Sequence, residues 1–111
     1  MPPKLSHDIQ VTDENLWFLE RYLSVFDFLE LFPVDAVSKS DGSPGIPIKL
    51  ITGSGFIIES DIDRGKMQLR NRSKLHGWTR FTVQNTLRVG DVIRFEKLSG
   101  REFSLTLIRQ A

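Results

Sequence analysis

Cysteine is absent from this sequence of 111 residues, which excludes disulfides and thiolate metal sites and fits a reducing compartment. The first ten residues lack the apolar segment of a signal peptide. An unbroken apolar run of about 18 residues, the length that crosses a bilayer, is also missing. We therefore expect a soluble protein with no membrane partner, located inside the cell: in the cytoplasm or, in a eukaryote, in the nucleus.

Residue sets that support catalysis are equally scarce. His7 and His76 stand in unrelated contexts, and without cysteine a zinc site lacks ligands at suitable spacing. Asp61 and Asp63 form a close acidic pair, but the further oxygen ligands of a calcium loop do not follow them. Nucleophile elbows, phosphate-binding glycine loops and zinc-protease motifs do not occur. The sequence predicts no enzymatic activity, no metal and no cofactor.

Positive charge is concentrated in the C-terminal part of the chain. Residues 1–45 contain three basic and eight acidic side chains, whereas residues 46–111 contain twelve basic and six acidic ones. From Arg64 to Gly90 there are seven basic residues and no acidic one. Such asymmetry is typical of proteins that contact nucleic acid, and a solvated face balanced by the acidic N-terminal part is the alternative.

The N-terminal part shows helical spacing. Leu16, Leu19 and Leu23 recur at the spacing of one helix face, which predicts an amphipathic helix over residues 13–24. The alternation of apolar and polar residues over 26–29 favours a strand, with a continuation of the helix as the alternative. The predicted helix either covers one end of the domain or presents a dimer face.

Strand patterns dominate the rest of the chain. Helical turns are predicted after Pro33 and within residues 76–85, a loop over 38–47, and a hairpin turn at 53–55. The predicted strands are residues 46–52, 55–60, 67–70, 90–98 and 101–109. The length fits one domain over residues 1–111. We expect a mainly β fold, α+β by content, built on an open or closed barrel.

A spaced set of residues in the C-terminal part carries a resemblance to a known family. The set is Gly77-Trp78, Phe81, Leu87, Gly90-Asp91 and Phe95. It resembles the C-terminal half of the B3 DNA-binding domain, which occurs in plant transcription factors and as the effector domain of certain restriction endonucleases. The stretches LELFPVDAV and IKLITGSGFIIESDI resemble its first half and its central hairpin, so the resemblance covers roughly residues 28–109.

The resemblance implies a small pseudobarrel of about six to seven strands with short helices. Residues 28–109 form this B3-like barrel, and residues 1–27 are an N-terminal extension with a helix. Trp78 and Phe81 then fill the barrel, and Asp91 caps the turn that opens a strand. These residues support a fold, and a fold does not by itself imply a function.

Two arms clasp the DNA major groove in the B3 family. The resemblance places the first arm at residues 24–30 and the second at residues 61–66, with a continuation to Lys74. Arg64 and Lys66 are then the candidates for entering the groove, because an arginine fork can meet guanine O6 and N7 together. The basic residues that follow are candidates for phosphate contacts, with His76, a turn residue, as a further phosphate or water contact. The predicted DNA-binding residues are Arg64, Lys66, Arg70, Arg72, Lys74, His76 and Arg80.

The first arm departs from the family pattern because it carries Asp27 and Glu30, and carboxylates repel phosphates. Three functions therefore stay open. The first is a non-enzymatic module that binds double-stranded DNA. The second is a protein–protein interaction module that uses the acidic, aromatic N-terminal half, with residues 13–32 facing a partner or a second copy. The third is a dimeric DNA-binding regulator built from swapped hairpins.

Overall fold

In the residues that the structure describes, seven strands and a few short helices make up the fold. The computed structural model describes residues 5–53, 55–70 and 77–109. The strands are β1 (Ser6–Gln10), β2 (Ile48–Thr52), β3 (Ile57–Ser60), β4 (Ile62–Asp63), β5 (Gln68–Leu69), β6 (Val92–Lys97) and β7 (Glu102–Ile108). The helices are α1 (Leu16–Leu19), α2 (Trp78–Gln84) and two 3₁₀ helices, Phe26–Leu31 and Val34–Ala36. The predicted mainly β fold with short helices is confirmed.

Five of the strands form one mixed sheet in the order β1-β6-β7-β2-β3. Neighbouring strands are antiparallel except β2 and β7, which run parallel with Leu50 opposite Phe103. In the described residues β1 and β3 are the two edges of this sheet, and β4 pairs with β5 in a separate hairpin. Among the described residues, no helix is long and apolar enough to cross a membrane.

An aromatic core packs against the sheet. Phe28, Phe95 and Phe103 are fully buried together with Trp78 and Phe81. The rings of Trp78 and Phe81 lie 5.1 Å apart, and those of Phe28 and Phe95 lie 5.0 Å apart. The two residues predicted to fill the barrel are therefore core residues.

The turn before β6 has the predicted geometry. Asp91 is buried, and its Oδ2 accepts the backbone N–H of Arg88 at 3.0 Å and a guanidinium N–H of Arg109 at 3.0 Å. Gly90 precedes it with a φ of +98°, a conformation that favours glycine. Asp91 thus caps this turn.

The N-terminal part differs from its prediction. The sequence predicts no strand at Ser6–Gln10, yet β1 pairs with β6 and so joins part of the predicted N-terminal extension to the main sheet. The predicted helix over residues 13–24 is wrong in its extent, since α1 covers Leu16–Leu19 alone. It ends there because the chain turns to pair with β5, where the N–H of Leu69 donates to the carbonyl of Leu23 at 2.9 Å.

The strand predicted over residues 26–29 is also wrong. These residues belong to the 3₁₀ helix Phe26–Leu31, which buries Phe28 and Leu31 and leaves Phe26 exposed. The short helical turn after Pro33 is confirmed as Val34–Ala36.

The remaining strand predictions are confirmed in position, with shorter ends. β2 and β3 form the predicted hairpin, and β6 and β7 form the C-terminal one. The strand predicted over 67–70 is reduced to Gln68–Leu69. Its partner Ile62–Asp63 lies between the predicted strands 55–60 and 67–70, where the sequence predicts no strand.

Candidate nucleic-acid interface

The β4–β5 hairpin ends in a tight turn over residues 64–67, which we call the tip. Asp63 organises it, because its Oδ1 accepts the backbone N–H groups of Gly65 at 2.8 Å and Lys66 at 3.2 Å. The N–H of Met67 donates to the carbonyl of Asp63 at 2.7 Å, and Met67 has a positive φ of 51°. Side-chain and backbone bonds from one aspartate therefore fix the shape of the tip.

Backbone bonds hold the hairpin from both sides. Beside β4, the N–H of Ser38 donates to the carbonyl of Ile62 at 2.8 Å, and Val37 forms a parallel bridge with Ile62. Beside β5, the N–H of Val25 donates to the carbonyl of Met67 at 2.9 Å. Although the hairpin is short, it thus has a backbone-bonded segment on each side: residues 37–38 beside β4 and Val25 beside β5.

Arg64 and Lys66, the two predicted groove residues, lie on the exposed part of the tip. The Nε of Arg64 donates to the Ser38 carbonyl at 2.9 Å, and its backbone N–H donates to the Ser38 Oγ at 2.9 Å. Among the described residues, the Nη groups of Arg64 bond to no other side chain or carbonyl. Ser38 thereby orients the guanidinium, and as far as the described residues go the two Nη groups, which carry most of its N–H donors, stay available.

Arg70 lies at the base of the hairpin and contacts a buried carboxylate. Its Nε is 3.3 Å from the Oδ1 of Asp61, an ion pair rather than an aligned hydrogen bond, and Asp61 is fully buried. The other oxygen of Asp61 accepts the N–H of Gly45 at 2.8 Å. Gly45 lies so close to Ala36 that a Cβ would meet the Ala36 carbonyl oxygen at 2.4 Å. The ion pair gives Arg70 a structural role beside the predicted phosphate contact.

Arg80 lies on α2, away from the tip in sequence. Its guanidinium carbon is 4.2 Å from the centre of the Phe56 ring, a cation–π contact with the turn that joins β2 and β3. The remaining predicted residues, Arg72, Lys74 and His76, lie outside the described residues.

An apolar groove of about 620 Å³ adjoins the tip. Its apolar lining comes from the two 3₁₀ helices, their flanks and Met67, and two charged residues, Arg64 and Glu30, complete it. The residue patterns of the sequence do not predict this groove. The sequence feature that could indicate the groove is the apolar run around Pro33. In the structure, Val34 of this run is 92% exposed.

The first arm keeps its acidic surface. Asp27 and Glu30 are exposed, whereas Phe28 is buried against His7, whose ring stacks on it at 4.3 Å. Within the described parts of the chain, no group of three or more His, Cys, Asp or Glu residues is placed to hold a metal ion.

Two solved structures resemble the chain over most of its length. A hypothetical protein of Arabidopsis thaliana, At1g16640.1, matches with a TM-score of 0.57 and 21% identity, covering 93% of this chain and 88% of its own. The N-terminal domain of LlaJI.R1 from Helicobacter pylori matches with a TM-score of 0.56 and 11% identity, covering 97% of this chain and 90% of its own. No family model and no curated protein matches the sequence. At these identities the likeness concerns the fold, and it supports the B3-like pseudobarrel that the sequence resemblance predicts.

Proposed function

We propose that this chain is a non-enzymatic module that binds double-stranded DNA, with the β4–β5 hairpin as its principal contact. One observation carries the proposal. Arg64 makes two hydrogen bonds to Ser38 and stands beside the exposed Lys66 at the tip of a hairpin whose backbone is bonded on both sides.

The geometry of the hairpin suits a major groove. A B-DNA major groove is about 12 Å wide and admits a two-stranded β-ribbon. β4 and β5 are such a ribbon. An arginine at its tip that is already oriented loses less conformational entropy when its planar fork meets a guanine edge. Base readout therefore falls to Arg64.

Phosphate contacts fall first to Lys66. Its ammonium is exposed at the tip and belongs to the run of seven basic residues without an acidic one. Each lysine that neutralises a phosphate releases a condensed counterion, which makes affinity fall as salt rises. Arg70 and Arg80 are secondary candidates, because Asp61 and Phe56 already contact their guanidinium groups.

Duplex titration at several salt concentrations tests the proposal. The chain is titrated into a labelled random duplex of about 20 base pairs, and fluorescence anisotropy reports binding in the nonspecific range of about 10⁻⁴ to 10⁻⁶ M. The variant Arg64→Ala/Lys66→Ala should bind more weakly, and the slope of log K against log salt should become shallower by about one, because Lys66 is the phosphate contact of this pair. A selection of duplex sequences then asks whether Arg64 reads a particular base.

Lys49→Ala/Lys97→Ala is the matched control. It removes the same charge from strands β2 and β6, away from the tip. If this control weakens binding as much as the tip variant does, net charge explains the affinity and the hairpin proposal fails. Absence of binding to duplex DNA at low salt contradicts the whole function.

Architecture favours this module over the swapped-hairpin regulator. Each described strand pairs with another strand of the same chain, whereas a swapped regulator exchanges strands between two copies. A swapped regulator is an obligate dimer, and light scattering therefore separates the two functions.

A further inference from the structure

Four aromatic side chains lie exposed within residues 17–26, and we call them the aromatic face. Trp17 is 63% exposed, Phe18 37%, Tyr22 45% and Phe26 70%. Phe18 and Tyr22 contact each other with ring centres 5.3 Å apart. Aromatic residues are enriched in protein interfaces, and clustered exposed apolar surface marks interaction sites.

The aromatic face already accepts one guanidinium. The Arg21 guanidinium carbon lies 4.2 Å from the centre of the Trp17 ring, and its Nη1 donates to the Trp17 carbonyl at 2.8 Å. A ring quadrupole attracts any cation placed over it. The chemistry of this face therefore favours basic side chains.

A pocket of about 180 Å³ lies beside the aromatic face, between β1, α1 and the 3₁₀ helix that begins at Phe26. Ile9, Leu19 and Phe28 give it apolar walls, and Phe18 connects it to the aromatic face. Polar side chains in its lining are His7, Asn15 and Ser24. Asp27 supplies the one carboxylate of its lining. Apolar walls with an anionic group suit the long stem and charged head of lysine or arginine.

The charged side chains around the aromatic face are mostly acidic. Residues 13–30 contain five acidic side chains, all exposed, and one basic side chain, Arg21. This surface repels nucleic-acid phosphates and attracts basic partners at long range. It is therefore complementary to a partner of the opposite charge.

We propose that the aromatic face and the Asp27 pocket form a docking surface for an arginine- and lysine-rich segment of a partner protein. Aromatic rings stack on the guanidinium groups of the segment, and one long basic side chain enters the pocket toward Asp27. This surface shares no residue with the hairpin tip, so it stands whether or not the chain binds DNA.

Peptide binding to the full chain tests the surface. The probe is a fluorescein-labelled peptide of about ten residues that alternates Arg and Ala, and its control alternates Gln and Ala. The arginine peptide should raise the anisotropy and the glutamine peptide should not. Trp17→Ala should weaken binding about fivefold, and Asp27→Asn about threefold.

Two control variants keep the test specific. Val83→Ala changes an apolar side chain on α2 that is 72% exposed, and it should bind the peptide as the parent does. Arg64→Ala/Lys66→Ala should also bind it unchanged, which separates this surface from the hairpin. Equal binding of both peptides, or unchanged affinity in both Trp17→Ala and Asp27→Asn, overturns the proposal.

Tryptophan fluorescence gives a second readout. Of the two tryptophans, Trp17 is exposed and Trp78 is fully buried, so a neutral quencher such as acrylamide reports Trp17. The arginine peptide should protect Trp17 from quenching. Protection by duplex DNA instead would assign the surface to DNA, and protection that grows with protein concentration alone would assign it to a second copy. Either result overturns the proposal.

Discussion

The β4–β5 hairpin and the aromatic face are both exposed, but they differ in charge and in how the fold supports them. The hairpin is basic at its tip and is held by backbone bonds to the neighbouring segments on both sides. The surface around the aromatic face is acidic. Two side chains of α2 hydrogen-bond to the chain at and just after the end of α1. The indole N–H of Trp78 donates to the Leu19 carbonyl at 2.7 Å, and the Thr82 hydroxyl donates to the Glu20 carbonyl at 3.0 Å.

The two regions should therefore tolerate amino-acid substitutions to different degrees. The shape of the tip depends on Asp63 and on backbone bonds, so the side chains of residues 64 and 66 can change while Asp63 is kept and the shape stays. The aromatic face depends on two particular side chains, Trp78 and Thr82, because each satisfies a carbonyl at or just beyond the end of α1 that lacks a helical partner. A change in α2 therefore reaches the aromatic face before it reaches the hairpin.

Trp78→Ala should have the largest effect. It removes a fully buried ring and leaves the Leu19 carbonyl without its donor, which should cost about 3–5 kcal/mol in the free energy of unfolding. Urea denaturation measures the loss. Trp78→Phe keeps most of the ring volume and should cost less, and a loss of under about 1 kcal/mol in the alanine variant would show that α2 does not support the core as described.

Asp61→Asn should have the second-largest effect, and it acts on the β4–β5 hairpin. It removes the charge that faces Arg70 at the base of the hairpin, where Asp61 is fully buried. We expect a loss of about 2 kcal/mol in unfolding free energy, together with weaker duplex binding at a given salt concentration. Asp13→Asn, an exposed carboxylate elsewhere, should leave both quantities unchanged. Destabilisation without any change in DNA affinity would separate the ion pair from the function of the hairpin.

Asp8→Asn should have the smallest effect and touch neither region. Asp8 on β1 makes a bidentate ion pair with Arg94 on β6, at 2.8 and 2.9 Å. The hydrogen bond from Arg94 lowers the pKa of Asp8 below its usual value. The resulting stabilisation is complete above the pKa of the unfolded state, about 3.9, and disappears as the pH falls through the lower folded pKa.

Thermal unfolding of the parent and of Asp8→Asn measures this pH dependence. The parent should melt at a slightly higher temperature near neutral pH, and the gap should close as the solution is made strongly acidic. A gap that stays constant across this range would show that the charge of Asp8 contributes nothing to the pairing of β1 with β6.

Local patterns account for what the sequence predicted well. β6 and β7 alternate apolar and polar residues around a short turn, so their period and their pairing are both visible in a short stretch. β1 could not be recognised in this way, because His7 and Ile9 are its two half-buried positions and its partner β6 follows more than 80 residues later. The leucines of the predicted N-terminal helix do include core residues, Leu19 and Leu23, but pairing with β5 overrides helix propensity after Leu19.

In the candidate nucleic-acid interface, too, some features are visible in the local sequence and others depend on tertiary contacts. Arg64 and Lys66 were predictable because the run without acidic residues begins there. The ion pair of Arg70 with Asp61 and the stacking of Arg80 on Phe56 depend on how separate strands and α2 approach one another. Composition alone gives each of these arginines the same role, and tertiary contacts distinguish them.

Strand order also constrains how this chain acquires its structure during synthesis. β7 is the last described strand to be made, yet it lies in the middle of the main sheet between β6 and β2. Until Glu102–Ile108 has left the ribosome, no described strand joins β6 to β2, so the β1–β6 and β2–β3 pairs cannot belong to one sheet. Completion of the sheet is therefore a late step that joins distant segments, and the nascent chain exposes strand edges to neighbouring chains and chaperones until that step occurs.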